Sequence, residues 1–171
     1  MSNDLIILGV DPGLANCGWG IVALTGTKPR ALAYGCITTT AKTAEPERLA
    51  AIYDGLVAVI GTYRPLELSI ETVYHKGNTK SSIATAQARG AALVAAQTRQ
   101  LLVAEYAPAA IKKAVVGNGS ADKAQVQFMV KAVLGLDELP SPDHAADALA
   151  AAVCHAHLRK SRSHEKEYII A

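Results

Sequence analysis

The sequence predicts an α/β fold in which a mixed five-stranded sheet, three antiparallel strands followed by two parallel ones, is flanked by helices. Three observations carry that reading: a continuous apolar run at residues 5–10, two strand-like segments joined to it by short connections, and a switch near residue 45 to helical spacing interrupted by short strands. With 171 residues, 50% of them hydrophobic and 19% charged, the chain has material for one substantial core, and residues 1–158 are expected to form a single domain. Residues 159–171 are expected to form a flexible basic tail, because Arg159, Lys160, Arg162 and Lys166 follow no core pattern.

The run at 5–10 is too short for a helix and sits between Asp4 and the turn Asp11-Pro12-Gly13, so it reads as a central strand buried on both faces. Segments 18–24 and 31–40 follow it around a turn at 25–30, which makes the first three strands an antiparallel meander. From about Glu45, Leu49, Ile52, Leu56, Val59 and Ile60 recur at helical spacing, and that helix must stop before Pro65. Leu66, Leu68 and Ile70 then alternate with Glu67, Ser69 and Glu71. A strand reached by a helical crossover runs parallel to the first. An alanine-rich helix at about 79–100, a strand at 101–105 and helices near 109–116, 121–134 and 142–158 complete the order.

Composition excludes several classes of function. Lys and Arg number 17 against 15 Asp and Glu, a net charge of +2, so contact with a polyanion must come from a local patch. Cys17, Cys36 and Cys154 form an odd set without a CxxC pair, which argues for a reducing compartment. There is no apolar run of the ~18–20 residues that span a bilayer. No basic residue precedes the first apolar run either, so the chain reads as a soluble cytoplasmic protein with no membrane partner.

The chemistry lies in the carboxylates. Asp11 ends strand one and Glu71 ends strand four; if these are parallel neighbours about 4.8 Å apart, the two acids stand side by side at the carboxyl end of the sheet, where open α/β sheets bind ligands. Like charges so placed call for a cation, and oxygen donors suit Mg²⁺ or Mn²⁺. In Asp143-His144-Ala145-Ala146-Asp147, residues 144 and 147, or 143 and 147, share a helix face, and the alanines let that face approach the sheet. Asp11, Glu71, Asp147 and either His144 or Asp143 are thus candidates to hold two ions about 3.5–4 Å apart, the arrangement that stabilises attacking and leaving oxygens in phosphodiester hydrolysis. Each acid has an ordinary reading when taken alone. Asp-Pro-Gly ends strands by turn chemistry, Glu71 can be an exposed strand end, and acids favour the first turn of a helix.

Several blocks make the sequence resemble the RuvC family of Holliday-junction resolvases: Leu8-Gly9-Val10-Asp11-Pro12-Gly13 with Cys17-Gly18-Trp19-Gly20, Ser69-Ile70-Glu71-Thr72-Val73-Tyr74, Gln87-Ala88-Arg89-Gly90, the stretch from Val115 to Lys123, and His144-Ala145-Ala146-Asp147-Ala148-Leu149-Ala150. The resemblance implies an RNase H-like nuclease domain, a homodimer, and resolution of four-way DNA junctions by paired symmetric nicks that leave 5′-phosphate and 3′-hydroxyl ends. It also implies partnership with a RuvA–RuvB motor. On it, Asp11, Glu71, His144 and Asp147 are the metal-binding catalytic residues. Many relatives carry Asp at the His144 position and others His; an imidazole there favours Mn²⁺ over Mg²⁺ or takes part in proton transfer, with Asp143 the alternative ligand. Lys112 and Lys123 match positions near bound DNA, and Tyr74 matches an aromatic that stacks on an opened base. Lys76 and Lys80 lie on the basic segment after Glu71, placed to meet phosphates. His75 receives no role.

A symmetric pair of cuts asks for two sites about a two-fold axis. The alanine-rich helix, through Ala84, Ala88, Ala91, Ala92, Ala95 and Ala96, is the candidate dimer surface, with burial against the sheet as its plain alternative. Cys154, His155 and His157 suggest zinc but lack a second ligand pair. Two other classes compete: an actin-like or sugar-kinase-like ATPase, which needs a second such domain, and a junction-binding protein without catalysis, in which Asp11→Asn would leave behaviour on DNA unchanged.

Overall fold

Antiparallel pairing of β1 (Leu5–Asp11), β2 (Asn16–Thr25) and β3 (Lys28–Thr38) builds the expected meander. The structure, a computed structural model, describes residues 4–72 and 79–162. After α1 (Glu45–Tyr63), strand β4 (Glu67–Glu71) pairs parallel to β1, with Ile7 opposite Glu67 and Val10 opposite Ile70. Helix α2 (Thr79–Thr98) leads to β5 (Leu102–Tyr106), parallel to β4, so the sheet order is β3-β2-β1-β4-β5. Helices α3 (Pro108–Val116), α4 (Lys123–Leu134) and α5 (Asp143–Arg162) follow.

Local chemistry explains the element ends. Helix α1 stops at Arg64, which takes the left-handed conformation (φ 50°) ahead of Pro65. Helix α4 starts on a reciprocal cap in which Asp122 accepts from the Gln125 backbone and Gln125 accepts from the Asp122 backbone. The turn expected over 25–30 is narrower, because β2 runs to Thr25 and β3 begins at Lys28, with Gly26 at φ +64°. Pro29 is tolerated inside β3 because β3 is an edge strand that pairs with β2 alone.

Both faces of the sheet are covered. Leu8, Val10, Leu68 and Ile70 pack under α1 and α2, whereas Ile7 and Val22 pack with α3, α4 and α5. The alternation in β4 therefore does not separate core from solvent, and Glu67, Leu68, Ser69 and Ile70 are all buried. The alanine face of α2 takes its plain alternative: Ala88, Ala92, Ala95 and Ala96 are in the core, and the outer side of the helix exposes Ile83 and Val94 instead. Helix α5 runs on to Arg162, past the point where the sequence pattern fades, because Arg159 binds Glu67 of β4.

Helix α5 lies unusually deep, and its sequence shows why. Ala145, Ala146, Ala148, Ala150, Ala151 and Ala152 are all essentially inaccessible. They meet glycines of the sheet. A Cβ on Gly9 would overlap the Ala148 carbonyl, and one on Gly18 would overlap the His144 carbonyl. This small-on-small packing brings the first turns of α5 within side-chain reach of the end of β1.

Candidate metal centre

Asp11 leaves the carboxyl end of β1 toward α5, and the first turn of α5 meets it. His144 Nδ1 stands 2.7 Å from Asp11 Oδ2; the ionised carboxylate accepts from the ring N–H, which leaves the lone pair of a neutral ring on Nε2. The spacing of three residues puts Asp147 on the same face, and one donor atom from each of Asp11, His144 and Asp147 falls within 4.8 Å of the others.

Glu71 follows the Val10–Ile70 pair on the neighbouring strand and is not part of that tight trio, but it borders it. It shares a cleft of about 660 Å³ with Asp11 and a smaller one of about 270 Å³ with Asp147, Lys112 and Lys123. Burial, together with the charges of Asp11 and Asp147, pushes the Glu71 carboxyl up to about 7, with Lys112 opposing the shift. Burial also raises Asp11, against the pull of the His144 hydrogen bond. These acids are thus short of positive partners. Lys123 supplies part of the balance, with Nζ 3.3 Å from Asp147 and 3.1 Å from Asp143.

His144 and Asp143 face different partners. Asp143 turns outward to Lys123 and to Gln127, 3.1 Å away, while His144 turns inward to Asp11. Of the other expected contacts, Lys112 and Lys123 line the cleft beside Asp147, and Lys80 lines a groove on the His144 side. Tyr74, His75 and Lys76 lie outside the described residues. The zinc alternative fails: Cys154 faces the Ala110 carbonyl, His155 bonds Tyr106 and Glu67, and His157 donates to the Ala114 carbonyl, so the three point apart. Sequence reasoning missed Arg48, which lines the His144 groove, and the Ser81, Ser82 and Thr85 hydroxyl side of the Asp11–Glu71 cleft. The clustering of hydroxyls in the first turns of α2 was a signal available for the second group.

The RuvC family model, described as crossover junction endodeoxyribonuclease RuvC, matches residues 7–155. The chain belongs to the RuvC family. Its RuvC relatives include the protein of Heliobacterium modesticaldum, 46% identical over 153 residues that cover 90% of this chain and 94% of the relative. The RuvC of Moorella thermoacetica is 47% identical over 163 residues, covering 95% and 98%. Among solved structures, Thermus thermophilus RuvC superposes with a TM-score of 0.85 at 34% identity, over 92% of this chain and 96% of that one. The same protein in complex with Holliday junction substrate gives a TM-score of 0.87 at 34% identity, again over 92% and 96%. The yeast mitochondrial Holliday junction resolvase shares the fold, with a TM-score of 0.65 at 13% identity over 92% and 80%. As a RuvC family chain, the protein is a metal-dependent nuclease, and its Asp11, His144 and Asp147 form a cluster able to hold a metal ion.

Proposed function

We propose that this chain resolves four-way DNA junctions as a homodimer by paired symmetric nicks that leave 5′-phosphate and 3′-hydroxyl ends, with Asp11, Glu71, His144 and Asp147 holding two Mg²⁺ or Mn²⁺ ions. The observation that carries the proposal is the convergence of Asp11, His144 and Asp147 donors within 4.8 Å, bordered by Glu71, whose carboxyl is raised by burial and by the charges of Asp11 and Asp147. The donor set fits the ions: carboxylate oxygens suit hard divalent cations, and the imidazole shifts preference toward Mn²⁺. When bound, such cations lower the pKa of water and stabilise charge on the leaving oxygen.

The chain's own residues do the positioning. Asp11 orients the His144 ring through Nδ1, which leaves Nε2 to act as a ligand or proton acceptor. Lys123 neutralises Asp147 and, with Lys112, gives the mouth of the cleft positive charge for a scissile phosphate. Lys80 extends that path along the His144 groove, and Lys76 and Tyr74 are proposed to meet DNA backbone and base. The proposed dimer closes through the outer face of α2 around Ile83 and Val94 and matches the two-fold symmetry of the substrate, with a RuvA–RuvB motor as the further proposed partner. Among the described residues, no helix is long and apolar enough to cross a membrane.

The test is nicking of a synthetic four-way junction with Mg²⁺ or Mn²⁺ by wild type and Asp11→Asn. Wild type should cut symmetrically, and the variant should bind without cutting. Cutting by the variant at the wild-type rate would refute the metal mechanism. In a parallel assay, His144→Asp should shift preference from Mn²⁺ toward Mg²⁺.

A further inference from the structure

Below the metal centre, α5 and β4 share a second polar contact that the reaction does not use. Glu67, buried on β4, accepts from His155 Nε2 at 2.6 Å and from Arg159 through Nη2 at 2.7 Å and Nε at 3.1 Å. On its other side, His155 Nδ1 is hydrogen-bonded to the Tyr106 hydroxyl at 2.7 Å. The Tyr106 backbone carbonyl in turn accepts from the amide of Thr72, the residue after Glu71, at 2.9 Å. This chain of bonds therefore begins on α5, crosses β5 and ends beside a proposed cation ligand.

Its geometry is a matching of repeats. Helix α5 runs antiparallel to β4, and Asp147, Ala151, His155 and Arg159 repeat every four residues, about 6 Å along a helix. Glu71, Ser69 and Glu67 repeat every two residues on one face of β4, about 6.6 Å along a strand. The rungs meet in order: Asp147 lines a cleft with Glu71, Ser69 Oγ donates to the Ala151 carbonyl at 2.7 Å, and Glu67 holds His155 and Arg159. Between these rungs α5 offers mostly alanine to the sheet. Such a surface permits close approach, with Leu149 seated against Gly20, and the directional hydrogen bonds add an axial constraint to that packing.

We propose that Glu67, His155, Arg159 and Tyr106 form a register lock: they are positioning residues that hold α5 at the one axial setting in which Asp147 and His144 come level with Asp11 and Glu71. The inference rests on the proposed cation site. Displacements of about 1 Å remote from a reacting centre can cost on the order of 10²-fold in rate, and outer supports of metal ligands are worth about 10–100-fold in affinity.

The experiment measures Mn²⁺ binding to the DNA-free protein by calorimetry, hydrogen exchange of the first two turns of α5 without cations, and melting temperature, for wild type, His155→Phe, Glu67→Gln and Tyr106→Phe. The lock requires Mn²⁺ to bind roughly tenfold more weakly to His155→Phe and Glu67→Gln, with a smaller loss in Tyr106→Phe, and exchange at residues 143–150 to speed up at temperatures where the variants remain folded. A lower melting temperature with unchanged Mn²⁺ affinity and unchanged exchange would overturn it and leave a stabilising role alone. Should His155→Phe not fold, Tyr106→Phe, which removes one hydroxyl, decides by the same two readouts. Asp147→Asn separates the two readings: if Mn²⁺ affinity is unaffected by that change, the cation site itself is wrong. If Asp147→Asn loses the ion while the lock variants keep it, the lock alone falls.

Discussion

Glu67 and Glu71 stand on the same face of the same short strand, under the same helix, and their carboxyl groups are driven in opposite directions. Hydrogen bonds from His155 and Arg159 hold Glu67 down to about 2 despite burial, whereas burial and the charges of Asp11 and Asp147 push Glu71 up to about 7. Strand and residue type are shared, and burial raises both groups, so the opposite directions come from their partners. At one end the chain supplies every positive charge and donor its buried acid needs, and the acid serves architecture. At the other it gathers acids and leaves them short of positive charge, which is the condition of a site built for an external cation.

That contrast can be broken experimentally. The largest effect is expected for Asp11→Asn, which should lose junction nicking by on the order of 10³-fold while melting a few degrees higher than wild type without cations, since a buried like charge is gone; paired cleavage and melting assays check both. Next, Glu67→Leu leaves His155 and Arg159 without their acid and should cost about 3–5 kcal/mol in urea denaturation. Third comes pH. Glu67 has a depressed folded pKa, so its contribution, roughly 3 kcal/mol, is present above its unfolded value near 4.5 and lost as pH falls toward 2. Wild-type stability should therefore fall over that window, and Glu67→Gln should flatten the fall. Glu71 has the reverse sign: its charge destabilises the cation-free protein progressively as pH rises from about 4.5 through 7. The smallest effect is expected for Glu71→Gln, which should raise the cation-free melting temperature at pH 8 by a few degrees and remove most of the further rise that Mg²⁺ gives wild type.

Legibility in the sequence follows the same division. Asp11, Glu71 and Asp147 could be nominated because local signals mark them, namely a strand-ending turn, a strand end and helical spacing set among alanines, whereas spacing left His144 and Asp143 as alternatives and only the family resemblance favoured His144. Strand order followed from connection lengths and crossover rules, and Ala145 and Ala146 foretold the close approach of the first turn of α5. Glu67 could not be found this way. Its partners lie 88 and 92 residues on, and the alternation in β4 looks the same whether its polar face meets water or a helix. His155 drew attention only as part of a zinc pattern, and Arg159 only as the start of a basic tail, because neither carries a local sign of the acid it binds. The alanines of α2 show the same limit: composition marks a face for close packing but does not say whether the sheet or a second copy covers it.

The most direct measurement is an NMR titration of the glutamate side-chain carboxyl carbons, with and without Mg²⁺, in the DNA-free protein. Glu71 should titrate near 7 and drop by more than one unit when Mg²⁺ is added, while Glu67 stays ionised to below pH 3 in both conditions. If Glu71 titrates at an ordinary carboxylate value, or its titration ignores the cation, the two ends of β4 do not differ as described and the metal centre is misassigned.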